Sequence, residues 1–147
     1  MKTRNQISEP QKLTASPHID FSKLIGTKVS GHVDRPIGSR HPRHPDMIYP
    51  INYGYVDGVF AGDGEEQDVY IFGTDQTLKT FSGTVIGVYH RLNDNEDKWI
   101  VMLDSDISTD YREISPKAQV RLPTRQEILD TINFQEQYFE GELYLEN

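Results

Sequence analysis

The sequence predicts a small α+β domain, with a twisted or closed antiparallel sheet of about five strands and one long C-terminal helix. Five short runs rich in β-branched and aromatic residues follow one another, each bounded by Gly, Asp, Asn or Pro. A helical pattern follows them near the C-terminus. The chain contains no internal repeat, no coiled-coil heptad and no low-complexity segment, which agrees with a small α+β domain.

The length and charge of the chain limit its class and its partners. The 147 residues are enough to bury one core, and the formal net charge is −8. This negative charge argues against nucleic acid and anionic membranes as partners, because their phosphate groups would be repelled. There is no cysteine, and no apolar run reaches membrane-spanning length. We therefore expect a soluble cytoplasmic protein.

The chain divides into a tail and one domain. Residues 1–20 have few large apolar side chains and no sustained period, which predicts a flexible tail before a single domain over residues 21–147. The predicted strands are residues 27–35, 52–60, 67–73, 84–92 and 98–104.

Residues 124–141 predict the long helix. Thr124 and Glu127 fit a capping box at its start, and Gly141 is typical of a helix stop. One helical stripe is formed by Ile128, Ile132, Gln135 and Phe139. Residues 108–115 predict a second, short helix or a turn.

Acidic residues concentrate in two turns. The first turn, before the third predicted strand, carries Asp63, Glu65, Glu66 and Asp68, and the second, before the fifth, carries Asp94, Glu96 and Asp97. Carboxylates at this density fit Mg²⁺ or Mn²⁺, because both ions take hard oxygen ligands. Two solvated turns are the alternative, because Asp, Asn and Gly are ordinary residues of hairpin loops.

Several other side chains are donors suited to phosphate oxygens. Phenol hydroxyls are available from Tyr49, Tyr53, Tyr55 and Tyr138, and Arg35 adds a planar guanidinium. The alternative is that the tyrosines belong to the core and the arginine is solvated.

The segment RHPRHP, residues 40–45, has three interpretations. Its histidines form only a weak zinc pattern, because no further matched ligands accompany them. It could be a solvated turn stiffened by its prolines. It could also form a cationic lip over the acidic site, in which Arg40 and Arg43 contact the substrate.

The order of motifs resembles the family I soluble inorganic pyrophosphatases, in particular a short bacterial branch. The chain reads VDRP, YPINYGY, DGEEQDV, an acidic turn before a strand, and a helix ending in FQEQYF. This resemblance implies a five-stranded OB-like barrel and Mg²⁺-dependent hydrolysis of pyrophosphate or a related phosphoanhydride by a metal-activated water. It also implies a small phosphate substrate and a homo-oligomer. The alternative is a catalytically weak module that binds a phosphorylated ligand or a protein partner.

The resemblance also implies roles for individual residues. The implied metal ligands are Asp63, Asp68, Asp97 and Asp94. Glu65 would activate the attacking water, with Arg35 and Tyr53 as further catalytic residues. The implied phosphate-binding residues are Arg35, Tyr53, Lys98 and Tyr138. Phe139 stands where family members carry a lysine, so we expect the pocket for the leaving phosphate to be rebuilt.

Overall fold

The computed structural model describes residues 20–104 and 121–146. Two predictions lie outside the described residues: nearly all of the flexible tail, and the short helix or turn at residues 108–115.

Six strands and one helix occupy the described residues. In chain order they are β1 (Lys28–Arg35), β2 (Asn52–Phe60), β3 (Glu66–Phe72), β4 (Thr80–Arg91), β5 (Asp97–Leu103), α1 (Arg125–Glu136) and β6 (Gly141–Leu145). The predicted strand bounds are confirmed to within one residue, except that β4 begins four residues before its predicted start. Within the described part of the chain, no helix combines the length and apolarity needed to cross a membrane.

Five of the strands close into a barrel. Their order is β1-β2-β3-β5-β4, and β4 pairs with β1 to complete the circle. The pairs are antiparallel except β3 and β5, which run parallel, so the prediction of an all-antiparallel sheet is wrong at this one pair. Strand β6, which no sequence signal had indicated, pairs with residues 87–91 of β4, beyond the stretch 80–84 that pairs with β1. The predicted OB-like barrel is confirmed.

Apolar clusters cover both faces of the barrel wall. The inner cluster consists of Val56, Val69, Ile71, Phe81, Val85 and Val101. The outer cluster lies under the helix and includes Tyr53, Tyr70, Ile100, Ile128 and Ile132. Side chains alternate along a strand, so residues two positions apart lie on the same face. Asp68 and Lys98 precede the outer-cluster residues Tyr70 and Ile100 by two positions, and they therefore also face outward. The outer face of the barrel therefore carries these two charged residues of the predicted site.

Helix α1 begins as predicted and ends early. Thr124 Oγ1 accepts from the backbone N of Glu127 at 3.1 Å, and Glu127 Oε1 accepts from the backbone N of Thr124 at 2.8 Å, which confirms the capping box. The helix ends at Glu136, so the predicted stop at Gly141 is wrong. Gly141 instead begins β6, where an added Cβ would lie 2.7 Å from the backbone oxygen of His90. Close packing against β4 therefore requires glycine there.

Candidate active site

A cleft of about 760 Å³ lies on the outer face of the barrel. Four predicted site residues from the barrel line it: Arg35, Tyr53, Asp68 and Lys98. The loop between β1 and β2 forms one rim, and the residues after helix α1 form the other. Tyr138, the predicted phosphate ligand on that second rim, is 68% exposed.

A β-bulge aims Arg35 into the cleft. Val33 pairs with Gly54 and Arg35 pairs with Tyr53, so β1 advances two residues while β2 advances one. The bulge reverses the alternation of side chains, and Val33 packs against the inner cluster while Arg35 faces the cleft. There Arg35 Nη1 donates to Tyr49 Oη at 2.6 Å, and its guanidinium lies 5.6 Å from the centre of the Tyr53 ring.

Lys98 is a buried cation on the barrel wall. Its Nζ lies 2.6 Å from Asp68 Oδ2 on the neighbouring strand and 3.0 Å from Glu96 Oε1. Burial alone would lower the pKa of Lys98, but Tyr53 and Asp68 beside it raise that pKa above its ordinary value. Burial also raises the pKa of Tyr53. The cleft therefore holds a charged ammonium next to a protonated phenol at neutral pH.

A chain of hydrogen bonds between mostly buried side chains, the floor network, runs beneath the cleft. Tyr49 Oη, which accepts from Arg35, donates to Gln135 Oε1 at 2.8 Å. Gln135 Nε2 donates to Tyr70 Oη at 2.6 Å, and Tyr70 Oη donates to Glu136 Oε2 at 2.6 Å. Each group makes donor and acceptor contacts that agree in direction, so the chain can form as one network.

The network ends on Arg91, which sequence reasoning missed. Arg91 donates to Glu136 from Nε at 2.8 Å and from Nη2 at 2.9 Å. The Phe139 ring covers the guanidinium at 3.7 Å. Burial alone would lower the pKa of Arg91, but Glu136 raises it, so this third cation of the cleft stays charged. One signal for the network was present, because Gln135 is a polar residue on a stripe of apolar helical positions.

Two predicted site residues of the first acidic turn, Asp63 and Glu65, do not reach the cleft, whereas Asp68 does. Asp63 Oδ1 accepts from the backbone N of Glu65 at 2.9 Å, and both residues are exposed. Neither is among the described residues that line the cleft. The roles predicted for Asp63 as metal ligand and for Glu65 as base therefore stay predictions.

The second acidic turn contacts basic residues. Asp97 Oδ1 lies 2.7 Å from His90 Nδ1, and Asp94 Oδ2 lies 3.4 Å from Arg91 Nη1. Alternation along β5 puts Asp97 on the face opposite Lys98. The residue that faces the cleft is Glu96, rather than the predicted Asp97. Counting two residues back from Lys98 would have found it.

Two carboxylates of the cleft are placed where they could hold one Mg²⁺ ion, and the set of four metal ligands stays a prediction. Across residues 20–104 and 121–146, no group of three or more His, Asp or Glu side chains is placed to hold a metal ion. Asp68 and Glu96, however, both lie within 3.0 Å of Lys98 Nζ. One or two carboxylates, completed by waters and substrate phosphates, are a common environment for Mg²⁺.

The loop between β1 and β2 lies against the cleft, as the lip interpretation expects, but with different residues. His41 and His44 line the cleft, and their ring centres are 4.9 Å apart. Arg40 Nη1 donates to the backbone oxygen of Pro45 at 2.7 Å, within the loop itself. Among the described residues that line the cleft, neither Arg40 nor Arg43 occurs.

Comparisons with known proteins agree with this architecture. The family model described as inorganic pyrophosphatase matches residues 28–141. The inorganic pyrophosphatase of Ehrlichia chaffeensis is 16% identical, with 88% of this chain and 92% of that chain covered and a TM-score of 0.59. The Thermus thermophilus enzyme is also 16% identical, with 88% and 87% covered and a TM-score of 0.56.

An inorganic pyrophosphatase from Neisseria gonorrhoeae is 23% identical, with 87% of this chain and 88% of that chain covered and a TM-score of 0.52. Comparison with curated proteins finds no match. At these identities the solved structures support the fold alone, whereas the family model spans most of the chain. The protein therefore belongs to the inorganic pyrophosphatases, a family of metal-dependent enzymes that hydrolyse inorganic pyrophosphate.

Proposed function

We propose that this cleft hydrolyses inorganic pyrophosphate or a related phosphoanhydride with Mg²⁺ held by Asp68 and Glu96. The observation that carries the proposal is the convergence of three cations, Arg35, Arg91 and Lys98, on one cleft. Guanidinium and ammonium groups are the usual protein ligands of phosphate. The metal ion, when bound, neutralises phosphate charge and makes a water molecule easier to deprotonate.

The residues of the cleft would bind the substrate and stabilise the leaving group. Water oxygen bonds to one phosphorus, the bridging P–O bond breaks, and the bridging oxygen leaves with the other phosphate. Arg35 and Lys98 are held in place by Tyr49 and Asp68 before the substrate arrives. Cations that are already oriented stabilise the developing charge without reorganising, which favours the transition state. The Tyr53 phenol stays protonated and is a neutral donor beside them.

Phosphate release from pyrophosphate tests this proposal, with Mg²⁺, with Mn²⁺ and without metal. The decisive pair of variants is Lys98→Met and Lys28→Met. Both remove an ammonium and keep the stem, but the Lys28 side chain is 71% exposed and pairs with Asp104 outside the cleft. We expect Lys98→Met to lose activity by about 100-fold or more and Lys28→Met to keep it.

Two results would contradict the proposal. One is equal activity of the two folded variants, which would place the chemistry outside this cleft. The other is a folded wild-type protein that releases no phosphate from pyrophosphate with any metal. The second result would favour the alternative function, a module that binds a phosphorylated ligand without turning it over.

A further inference from the structure

The cleft is much larger than an inorganic pyrophosphate ion requires. Its volume of about 760 Å³ falls in the range of pockets that enclose drug-sized organic molecules. The three cations, with Asp68 and Glu96, occupy only the barrel wall and floor. Space therefore remains for a group attached to the phosphates.

The remaining space is lined by side chains that a bare phosphate ion cannot use. Ile48 on the loop rim is 48% exposed, and Tyr138 on the helix rim is 68% exposed. Phe134 also lines the cleft and packs edge-on against Tyr49. Apolar and aromatic surface beside a polar floor is typical of sites that bind an organic group together with a charged one.

The side chains that line the cleft, counted without the metal ion, carry balanced charge. The positive charges of Arg35, Arg91 and Lys98 are matched by the negative charges of Asp46, Asp68 and Glu96. His41 adds no charge at neutral pH, because burial and the nearby Arg35 lower the pKa of its imidazole. The side chains therefore supply no excess of positive charge that only inorganic pyrophosphate could match, and a diphosphate esterified by an organic group is compatible with this lining.

We propose that the cleft also accepts diphosphates that carry a nucleoside, with the base stacked on the ring of Tyr138 and the phosphates on the barrel floor. This inference rests on the proposed function, because it assigns the phosphates to the same cations. A planar base suits an exposed aromatic ring, and stacking on aromatic side chains is tolerant of base identity. Gln137 and Asp46, which also line the cleft, offer polar groups to the edges of a base, which an aliphatic chain could not use.

The reaction on such a substrate is the same hydrolysis. With a nucleoside diphosphate, water oxygen bonds to the terminal phosphorus and the bridging P–O bond breaks. The bridging oxygen leaves with the nucleoside monophosphate, and the protons of the water pass to the phosphate products and the solvent. No oxidant, reductant or second substrate is needed.

The test compares inorganic pyrophosphate, ADP and isopentenyl diphosphate as substrates of the full chain with Mg²⁺. The variants are Tyr138→Leu, which removes the planar ring, and Tyr138→Phe, which keeps the ring and removes the hydroxyl. The quantity measured is the ratio of kcat/KM for ADP to kcat/KM for pyrophosphate. We expect Tyr138→Leu to lower this ratio about tenfold and Tyr138→Phe to leave it near the wild-type value. Ile48→Ser, on the opposite rim, tests the same site without altering an aromatic residue and should also lower the ratio.

Each other outcome has a distinct meaning. If pyrophosphate is hydrolysed but ADP is not, or if Tyr138→Leu leaves the ratio unchanged, this inference is wrong while the proposed function stands. If isopentenyl diphosphate is cleaved as fast as ADP, the assignment of a base to the aromatic rim is wrong. If no substrate is cleaved, the proposed function fails, and calorimetric titration with ADP decides the inference. Weaker binding by Tyr138→Leu than by Tyr138→Phe would then support it, and equal binding would overturn it.

Discussion

Helix α1 has a bidentate arginine–glutamate pair near each end, and the two pairs differ in burial rather than in geometry. At the start, Arg121 donates from Nη1 and Nη2 to Glu127 at 2.8 and 3.0 Å. At the end, Arg91 donates from Nε and Nη2 to Glu136 at 2.8 and 2.9 Å. The side chains of the first pair are 68% and 48% exposed, and those of the second are 7% and 3% exposed.

Burial gives the two pairs different roles. Water solvates and screens both partners of the exposed pair, so each partner can exist without the other at little cost. Glu136 instead depends on Arg91 and Tyr70 for hydrogen bonds, and removal of one partner leaves an uncompensated buried charge. The exposed pair supports a helix cap, whereas the buried pair fixes a cation in the cleft.

The largest expected effect is a difference in stability between two variants in which each glutamate is replaced by glutamine. Glu136→Gln removes the charge that compensates Arg91, so we expect the free energy of unfolding to fall by about 3–5 kcal/mol. Glu127→Gln is the matched control, because it lies on the same helix and its partner is solvated. Urea unfolding at neutral pH measures both variants. Equal losses for the two variants would show that burial does not distinguish the pairs.

A second contrast concerns the hydroxyls that donate to glutamates. Tyr70 Oη donates to buried Glu136 at 2.6 Å and accepts from Gln135, whereas Tyr144 Oη donates to exposed Glu142 at 2.8 Å. Tyr70→Phe leaves buried polar groups unsatisfied, so we expect a loss of about 1–3 kcal/mol in the free energy of unfolding.

Tyr144→Phe is the control for that contrast, because water replaces the lost hydrogen bond, and its loss should be much smaller. Urea unfolding measures both variants. A loss for Tyr70→Phe no greater than that of Tyr144→Phe would mean that the floor network does not act as a unit.

The sequence predicted what local signals encode. Four barrel strands were found to within a residue because alternating patterns bounded by turn residues mark them, and Thr124 with Glu127 marked the helix start. Strand β6 and the parallel pairing of β3 with β5 could not be found in this way. Both depend on contacts between segments distant in sequence, which no local pattern records.

The site was predicted where a motif fixed the position and was missed where geometry decided it. Arg35, Tyr53 and Asp68 lie in the motifs VDRP, YPINYGY and DGEEQDV, and Lys98 begins the strand predicted after the second acidic turn. All four line the cleft. Glu96 and Asp97 are adjacent in sequence and face opposite sides of the sheet, so strand alternation determines which of the two reaches the cleft. The partnership of Arg91 with Glu136 joins residues 45 positions apart, so only the folded chain brings it together.

Added salt should affect the stability contribution of the exposed pair more than that of the buried pair. We expect this effect to be smaller than the effects of the substitutions above. Raising the ionic strength to about 1 M shortens the screening distance to about 3 Å, which weakens the attraction between exposed charges. The stability difference between wild type and Glu127→Gln should therefore shrink with added salt. The difference between wild type and Glu136→Gln should change little, because the buried pair excludes counterions. Thermal unfolding of the three proteins across a series of NaCl concentrations measures this, and parallel responses would contradict it.

The smallest expected effect is the pH dependence of the exposed pair. Hydrogen bonds from Arg121 and from the backbone of Thr124 lower the pKa of Glu127 from 4.5 to about 2. Because the folded-state pKa is lowered, the stabilisation by the charged carboxylate is fully present above pH 4.5 and is lost as the pH falls toward 2. The Glu127→Gln variant would keep the capping hydrogen bond without the charge. The difference in Tm between wild type and this variant should therefore be constant near neutral pH and should diminish steadily below pH 4.5. A Tm difference that persists unchanged to the lowest pH at which the protein folds would mean that the difference between glutamate and glutamine at position 127 does not arise from the carboxylate charge.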